Sequence, residues 1–221
     1  MDVKAWMTEN PITAERHTSI IDAQEIMRAN NIKHLPVLDG KRIVGIVSRS
    51  DLLEASPSDA TTLSVHELNY LLSEVKVGEI MTKHPFNVTP ETPVEVAAMK
   101  MRKYKVASLL VVDPETGSLV GIITESDIFE ALVEIMGVRE GGVRLSLDLE
   151  HRPGTLAGVI EIIKEYETNM LSIVSGRSET SEDRRAIVIR LETKDATAIV
   201  DKLKEKGYRV SATSEEVEEG A

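Results

Sequence analysis

Apolar and polar positions in the first part of the chain predict two similar successions of helices and strands. Apolar residues at helical spacing predict helices over residues 20–30 and 94–104. Two short apolar runs follow the first helix, over 35–38 and 42–47, and we interpret them as strands joined by a two-residue turn at Asp39-Gly40. The second helix is also followed by two predicted strands, which are joined by a longer loop. Each strand pair leads into a closing helix.

The last third of the chain has a different pattern. Residues 143–149 alternate between apolar and polar side chains, as in a strand with one buried face. A glycine-containing break over 137–142 precedes this strand. Further helices are predicted over 152–166 and 194–206, and further strands over 169–175, 186–192 and 208–213. The resulting order, βαββαβ, is that of a ferredoxin-like fold.

The first part of the chain contains an internal repeat. The segment Met7-Thr8-Glu9-Asn10-Pro11 aligns with Met81-Thr82-Lys83-His84-Pro85 at a displacement of 74 residues. A two-residue insertion over 114–117 moves the displacement to 76. After the insertion, Gly45, Ser48 and Asp51 match Gly121, Thr124 and Asp127. We conclude that this part arose by duplication.

Each repeat carries a hydroxyl and an aspartate where its last strand runs into the closing helix. The pairs are Ser48 with Asp51 and Thr124 with Asp127. The hydroxyl and the first free N–H groups of a helix can receive a phosphate, and the aspartate can accept the hydroxyls of a ribose. The same spacing also occurs in ordinary helix-capping boxes. Its presence in both repeats favours a nucleotide site over capping alone.

Both repeats resemble the cystathionine-beta-synthase (CBS) motif, and the tandem resembles a CBS pair, or Bateman module. The resemblance rests on the Met-Thr-x-x-Pro opening, on His34-Leu35-Pro36-Val37, on the glycine before the last strand and on the Ser/Thr-x-x-Asp motif. Repeat two departs from it at Leu110, the counterpart of Pro36. The resemblance implies an α/β fold of two β-α-β-β-α repeats about a pseudo-twofold axis, with two clefts between them.

The family pattern implies which residues line the two clefts. One repeat's Ser/Thr-x-x-Asp holds the ribose and phosphate, and the base lies against the other repeat's opening loop. The first predicted cleft combines Ser48 and Asp51 with Thr82, Pro85 and Ala107. The second combines Thr124 and Asp127 with Thr8, Pro11 and Lys33. The implied ligand is AMP, ADP, ATP or an S-adenosylmethionine-like compound.

Charges near the two motifs differ. Lys33, His34 and Arg49 are basic, and their counterparts in repeat two are Ala107, Ser108 and Glu125. A ligand with phosphate groups should therefore prefer the Ser48/Asp51 cleft, because Glu125 would repel it from the other one. The alternative is that all of these charges are solvated surface charges.

The last third of the chain resembles an ACT domain, a small-ligand sensor common in amino-acid metabolism. The resemblance rests on His151-Arg152-Pro153-Gly154-Thr155-Leu156 and Asn169-Met170. The family usually has Asp at the position of His151. The resemblance implies an amino-acid site at Pro153, Gly154, Thr155 and Asn169, completed by pairing of sheets between subunits. The alternative is a tight strand-to-helix turn without a ligand.

These patterns predict five segments. They are CBS repeat one with a linker helix near 62–74 in residues 1–74, CBS repeat two in 75–137, a linker over 138–142, the ACT domain in 143–214, and an acidic tail over 215–221.

Composition excludes several functions. The 221-residue chain has a net charge of −11, and neither part has a basic excess, so we expect no nucleic-acid partner. The absence of cysteine excludes disulfides and thiolate nucleophiles and is typical of cytoplasmic proteins. No apolar run predicts a membrane span.

The helix motif that begins His66-Glu67 ends in Tyr70 instead of a second histidine, so we expect no metal site and no catalytic cofactor.

The sequence thus favours a non-catalytic regulatory protein, similar to bacterial acetoin-utilisation regulatory proteins. An adenosine-type nucleotide would bridge the repeats, change their relative angle, and pass that change to the ACT domain or to a regulated partner protein. We expect a homodimer or a higher homo-oligomer. The alternatives are an interaction scaffold with unoccupied clefts and, less favoured, an enzyme.

Overall fold

The computed structural model describes residues 1–56 and 72–214. It divides into two compact units, Met1–Phe129 and Glu130–Ala221, which are described separately below. Most of the predicted linker helix near 62–74, the motif at His66 and the acidic tail over 215–221 lie outside the described residues. Among the described helices, none is long and apolar enough to cross a membrane.

The first unit contains two four-stranded sheets. One has the strand order β2-β3-β4-β5 and the other β1-β8-β7-β6. The strands are β1 (Thr8–Glu9), β2 (Ala14–Glu15), β3 (His34–Asp39), β4 (Arg42–Ser48), β5 (Thr82–Lys83), β6 (Asn87–Val88), β7 (Ser108–Val112) and β8 (Leu119–Thr124). The helices that begin in this unit are α1 (Ile20–Ala29), α2 (Arg49–Glu54), α3 (Val77–Ile80), α4 (Val94–Tyr104) and α5 (Glu125–Ile135).

The opening strand of each repeat pairs in the sheet of the other repeat. Strand β1 of repeat one pairs antiparallel with β8, where Thr8 lies opposite Ile122. Strand β5 of repeat two pairs antiparallel with β4, where Thr82 lies opposite Ile46. Neither sheet is therefore complete without the other repeat.

The glycine in the last strand of each repeat is explained by this exchange. A Cβ atom at Gly45 would collide with the Sδ atom of Met81, and one at Gly121 would lie 2.6 Å from the Sδ atom of Met7. Such contacts are closer than Cβ atoms tolerate. The opening methionine of each repeat thus packs where the other repeat has no side chain.

Local signals fix the helices near their predicted positions. Helix α1 begins after Ser19, whose side chain accepts a hydrogen bond from the backbone N–H of Asp22 at 3.1 Å. Ile20, Ala23 and Met27 are buried at helical spacing and join the core of repeat one. The cap at Ser19 and the apolar spacing together explain why this helix lies where it was predicted.

The hairpin turn of repeat one was predicted one residue too early. Asp39 is paired with Arg42 in the β3–β4 ladder, so the two turn residues are Gly40 and Lys41. Gly40 has φ of 64°, which places the left-handed residue at the first turn position. The register shift between Val37 and Leu38 contributes, because it moves the end of the ladder by one residue.

The second unit has the order βαββαβ and a fully antiparallel sheet ordered β10-β11-β9-β12. Its elements are β9 (Val143–Glu150), α6 (Thr155–Lys164), β10 (Met170–Arg177), β11 (Arg184–Leu191), α7 (Thr197–Glu205) and β12 (Arg209–Ser214). Leu145, Ile163, Ile189 and Leu203 are almost completely buried and form the centre of its core. Helix α6 begins at Thr155 instead of residue 152, because Gly154 precedes it with φ of 88°.

Candidate functional site

The turn from β4 into α2 is a complete capping box. The backbone N–H and the hydroxyl of Ser48 donate to Oδ2 of Asp51 at 2.7 and 2.8 Å. The backbone N–H of Asp51 donates to the Ser48 hydroxyl at 3.2 Å. Capping, the alternative considered for this motif, is therefore present in the structure.

The turn from β8 into α5 has the two hydrogen bonds to the aspartate, but not the reciprocal bond from the N–H of Asp127 to the hydroxyl of Thr124. The backbone N–H and the hydroxyl of Thr124 donate to Oδ2 of Asp127 at 2.7 and 2.8 Å. In both boxes Oδ1 of the aspartate accepts no hydrogen bond from any residue that the structure describes. Since a carboxylate has two acceptor oxygens, one caps the helix and the other is available to a ligand.

Strand exchange places the opening threonines near these boxes. Thr82 lies opposite Ile46, two residues before Ser48 in β4. Thr8 lies opposite Ile122, two residues before Thr124 in β8. Residues two apart in a strand share a face, so each box has a hydroxyl from the other repeat along the same sheet.

The prolines of the two opening loops occupy equivalent positions. Pro11 follows Asn10, which has φ of 47°, and Pro85 follows His84, which has φ of 55°. Both prolines are half-buried. The two loops thus have the same left-handed bend just beyond their exchanged strands, which keeps the repeats alike at this point.

The backbones of Lys33 and Ala107 contact the closing helix of their own repeat. The carbonyl of Lys33 accepts a hydrogen bond at 2.9 Å from the N–H of Arg49, and that of Ala107 accepts one at 3.0 Å from the N–H of Glu125. Each residue thus lies beside the first residue of the closing helix of its own repeat.

His34 connects the two repeats electrostatically. Burial lowers the pKa of its imidazole, while the carboxylates of Asp51 and Glu125 raise it and the ammonium of Lys33 lowers it, with a net decrease. The charge of Glu125 therefore reaches repeat one, although the sequence suggested that it acts on the second cleft. This juxtaposition was missed because no local signal reveals which loops of two exchanged repeats approach each other.

The predicted ACT residues do not come together within one chain. Pro153, Gly154 and Thr155 follow the end of β9, and Asn169 precedes the start of β10. Met170 is paired with Leu191, which is paired with Val143 at the start of β9, so Asn169 lies at the opposite end of the sheet. An eight-residue strand separates the two ends by roughly 25 Å.

The side chains at those two places already have partners. The hydroxyl of Thr155 donates to the carbonyl of Arg152 at 3.2 Å, and the amide nitrogen of Asn169 donates to Oε2 of Glu192 at 2.8 Å. Across residues 1–56 and 72–214, no cluster of three or more histidines and carboxylates could hold a metal ion.

Comparison with known families gives two matches. The CBS domain model matches residues 2–58 and 77–134, and the TTHA0829-like ACT domain model matches residues 141–213. Together the two CBS matches cover more than half of the chain. CBS and ACT domains are regulatory modules.

Relatives include enzymes that carry CBS domains. Inosine-5'-monophosphate dehydrogenase of Korarchaeum cryptofilum is 31% identical over 166 residues, which are 72% of this chain. The match spans only 32% of the length of that enzyme, and a match to L-aspartate semialdehyde sulfurtransferase of Methanocaldococcus jannaschii spans 22% of its length. The chain thus corresponds to a minor part of these enzymes.

Two solved structures match over nearly their whole length. The AcuB protein of Vibrio cholerae, described as an acetoin utilization protein, is 33% identical with a TM-score of 0.51, covering 63% of this chain and 96% of that one. The CBS-pair protein CBSX2 of Arabidopsis thaliana is 31% identical with a TM-score of 0.51, covering 61% and 95%. CBSX2 has also been solved in complex with AMP. The chain belongs to the CBS-domain family and carries its two CBS repeats ahead of a TTHA0829-like ACT domain.

Proposed function

We propose that this chain is a non-catalytic regulatory protein that binds an adenosine-type nucleotide in its CBS pair. The observation that carries the proposal is the duplicated capping box with one free aspartate oxygen. In each box Oδ2 holds the start of the closing helix, and Oδ1 of Asp51 or Asp127 would accept a ribose hydroxyl. A box that served only as a cap would not require a threonine of the other repeat beside it.

The proposed orientation of the nucleotide follows from the neighbouring groups. The ribose would lie on the aspartate, and the phosphate would lie toward the start of the closing helix, where the first N–H groups point outward. In repeat one the side chains of Lys33 and Arg49 would add positive charge there. The base would lie against the opening loop of the other repeat, at Thr82 and Pro85.

The range of ligands we propose is AMP, ADP, ATP and S-adenosylmethionine-like compounds. Support for this class comes from CBSX2, which is similar in sequence over more than half of this chain and which binds AMP in its own crystal structure. Binding would change the relation between the repeats, and the changed module would act on the ACT domain or on a partner protein. Such regulation requires that the nucleotide bind two states with different affinity.

Calorimetry with adenosine, AMP, ADP, ATP and S-adenosylmethionine tests the proposal. The double variant Asp51→Ala with Asp127→Ala should lose binding by ten-fold or more, because hydrogen bonds to a charged acceptor contribute about 1.5–3 kcal/mol each. Asp22→Ala is the matched control. Asp22 closes the same kind of box with Ser19, at 2.6 Å, but at the start of α1. Its variant should lose a helix cap and keep full binding.

A second candidate function is an interaction scaffold whose clefts stay empty. It is favoured by the hydrogen bonds to Asp51 and Asp127, which satisfy the serine and threonine hydroxyls without a ligand. Failure of the folded wild-type protein to bind any of the five compounds would favour this candidate and contradict nucleotide binding.

For the ACT domain we propose an amino-acid site shared between two copies. Asn169 lies at the opposite end of the sheet from Pro153 and Thr155, so a site that uses both must take Asn169 from a second copy. The open edges at β10 and β12 can pair with another sheet. Light scattering should then give at least twice the 24.4 kDa mass of one chain, and the amino acid that binds should increase the dimer fraction. A mass of one chain at micromolar concentration would contradict the proposal.

A further inference from the structure

The one tryptophan of the chain has a buried donor without an acceptor. Among the buried side-chain nitrogen and oxygen atoms of residues 1–56 and 72–214, Nε1 of Trp6 is the one that has no hydrogen-bond partner. An indole N–H can only donate, and buried donors are almost always paired in folded proteins. The ring itself is half-buried. A turn of the ring can therefore bring the N–H to a group that enters from solvent.

Strand pairing places Trp6 at the second cleft. In the antiparallel β1–β8 ladder, Thr8 lies opposite Ile122. Each step back along one strand of such a pair matches one step forward along the other, so the register brings Trp6 to the level of Thr124. The backbone N–H of Trp6 donates to the carbonyl of Val3 at 2.9 Å, which fixes the chain at this point. The unpaired donor thus belongs to the part of the second cleft that contains the threonine hydroxyl.

The first cleft has no such donor. In the β4–β5 ladder Thr82 lies opposite Ile46, and the same register brings Ile80 to the level of Ser48. The repeat alignment likewise matches Ile80 with Trp6. Because both repeats fold with the same strand exchange, the fold does not require a tryptophan at this position. The two clefts therefore differ in a hydrogen-bond donor as well as in charge.

We propose that Nε1 of Trp6 donates to a ribose oxygen of an adenosine-type ligand in the second cleft. This inference rests on the proposed nucleotide function and adds a residue that distinguishes the two clefts. Thr124 and Asp127 are the groups that would hold the sugar there, so the acceptor at the level of Thr124 is a sugar oxygen. The donor is unpaired in the free protein, so binding gives it a partner without breaking an existing hydrogen bond. Trp6 thus contributes to ligand selection and not to the stability of the free protein through its N–H.

Replacement of the indole N–H by sulfur tests this division of roles. Because Trp6 is the one tryptophan, benzothienylalanine supplied in place of tryptophan enters the full-length chain at this position alone. In Asp51→Ala protein, which keeps the second cleft, the replacement should weaken adenosine binding about five-fold in calorimetry, as expected for one neutral hydrogen bond. The free energy of unfolding of the free protein in urea should stay unchanged or rise, because the N–H has no partner to lose. Unchanged adenosine affinity, or a lower free energy of unfolding, would overturn the proposal.

Tryptophan fluorescence separates this inference from the proposed function. Adenosine should change the Trp6 emission of Asp51→Ala protein in step with calorimetric saturation, because the ring turns toward the ligand. In Asp127→Ala protein, which keeps the first cleft, saturation with ADP should leave the emission unchanged, and an equal change there would overturn the assignment to the second cleft. Binding heat in Asp51→Ala protein without an emission change would overturn the inference alone. Absence of binding heat from both proteins would overturn the proposed function and this inference with it.

Discussion

The two CBS repeats have the same hydrogen-bonded turn at the start of the closing helix, and different charges around it. Both capping boxes hold the aspartate with hydrogen bonds of 2.7 and 2.8 Å. Next to the box, repeat one has a lysine, a histidine and an arginine where repeat two has an alanine, a serine and a glutamate. The difference teaches that the hydrogen bonds of the box keep its geometry, while the residues one step away from it can change without disturbing that geometry.

Strand exchange limits how independent the repeats can be. Each sheet contains an opening strand from the other repeat, so a change in one repeat is transmitted to the packing of both. The carboxylates of Asp51 in repeat one and Glu125 in repeat two both act to raise the pKa of His34. The predictions below test where the two repeats behave alike and where they differ.

The largest effect is expected at the exchanged strands. At Gly45 the nearest backbone atom to a new Cβ is the carbonyl oxygen of Thr82 at 2.9 Å, and at Gly121 it is that of Thr8 at 3.1 Å. We expect Gly45→Ala to lower the free energy of unfolding by about 2–3 kcal/mol and Gly121→Ala by about 1–2 kcal/mol, as overpacking does. Urea denaturation measures both.

Gly176→Ala is the control for this pair, since its new Cβ would have no neighbour within 4 Å. It should change the free energy of unfolding by less than about 0.5 kcal/mol. Equal effects of Gly45→Ala and Gly121→Ala would contradict this ranking, since both the methionine sulfur and the backbone oxygen are closer at Gly45 than at Gly121.

The second effect concerns the aspartates singly. Asp51→Ala and Asp127→Ala should each weaken nucleotide binding in one cleft by ten-fold or more. Each variant should also lose a helix cap that contributes about 1 kcal/mol to stability. Calorimetry gives the number of remaining sites. Two intact sites in either variant would contradict the assignment of that aspartate.

A third effect is the ligand preference of the two clefts. With Asp127→Ala, the remaining cleft near Lys33 and Arg49 should prefer ADP to adenosine by roughly ten-fold, because one charge at contact distance contributes at most a few kcal/mol before desolvation. With Asp51→Ala, the cleft near Glu125 should show the opposite order. Added salt should reduce both preferences. The same ratio of the affinity for ADP to the affinity for adenosine in both variants would mean that these charges do not act on the ligand.

The smallest effect concerns the pH dependence of stability at His34. Its pKa in the folded protein is below the ordinary value of 6.5, so the unfolded chain binds more protons in this range. The stability that depends on neutral His34 is therefore complete above that ordinary value and is lost as the pH falls below it. We expect His34→Gln to lose less stability than the wild type between pH 7.5 and pH 5.5 in urea denaturation. Repeat two carries Ser108 at this position and provides the non-titrating control in a Ser108→Ala variant, which should keep the wild-type slope.

Local patterns in the sequence determined the elements and their order. Apolar spacing placed α1 and α4 within a residue of their ends, and alternation identified β9, because helix and strand periods depend only on nearby residues. The duplicated Ser/Thr-x-x-Asp identified both capping boxes for the same reason. The one wrong turn, at Asp39-Gly40, involved a register that the whole ladder sets.

Only the tertiary structure decided which distant segments meet. It showed that β1 and β5 are exchanged, that Lys33 lies beside α2 of its own repeat, and that Asn169 is a full strand length from Thr155. Sheet order and strand direction determine these distances, and no residue type encodes them locally. The sequence thus determined which groups could bind a ligand, and the packing of the sheets decided which of those groups one chain can bring together.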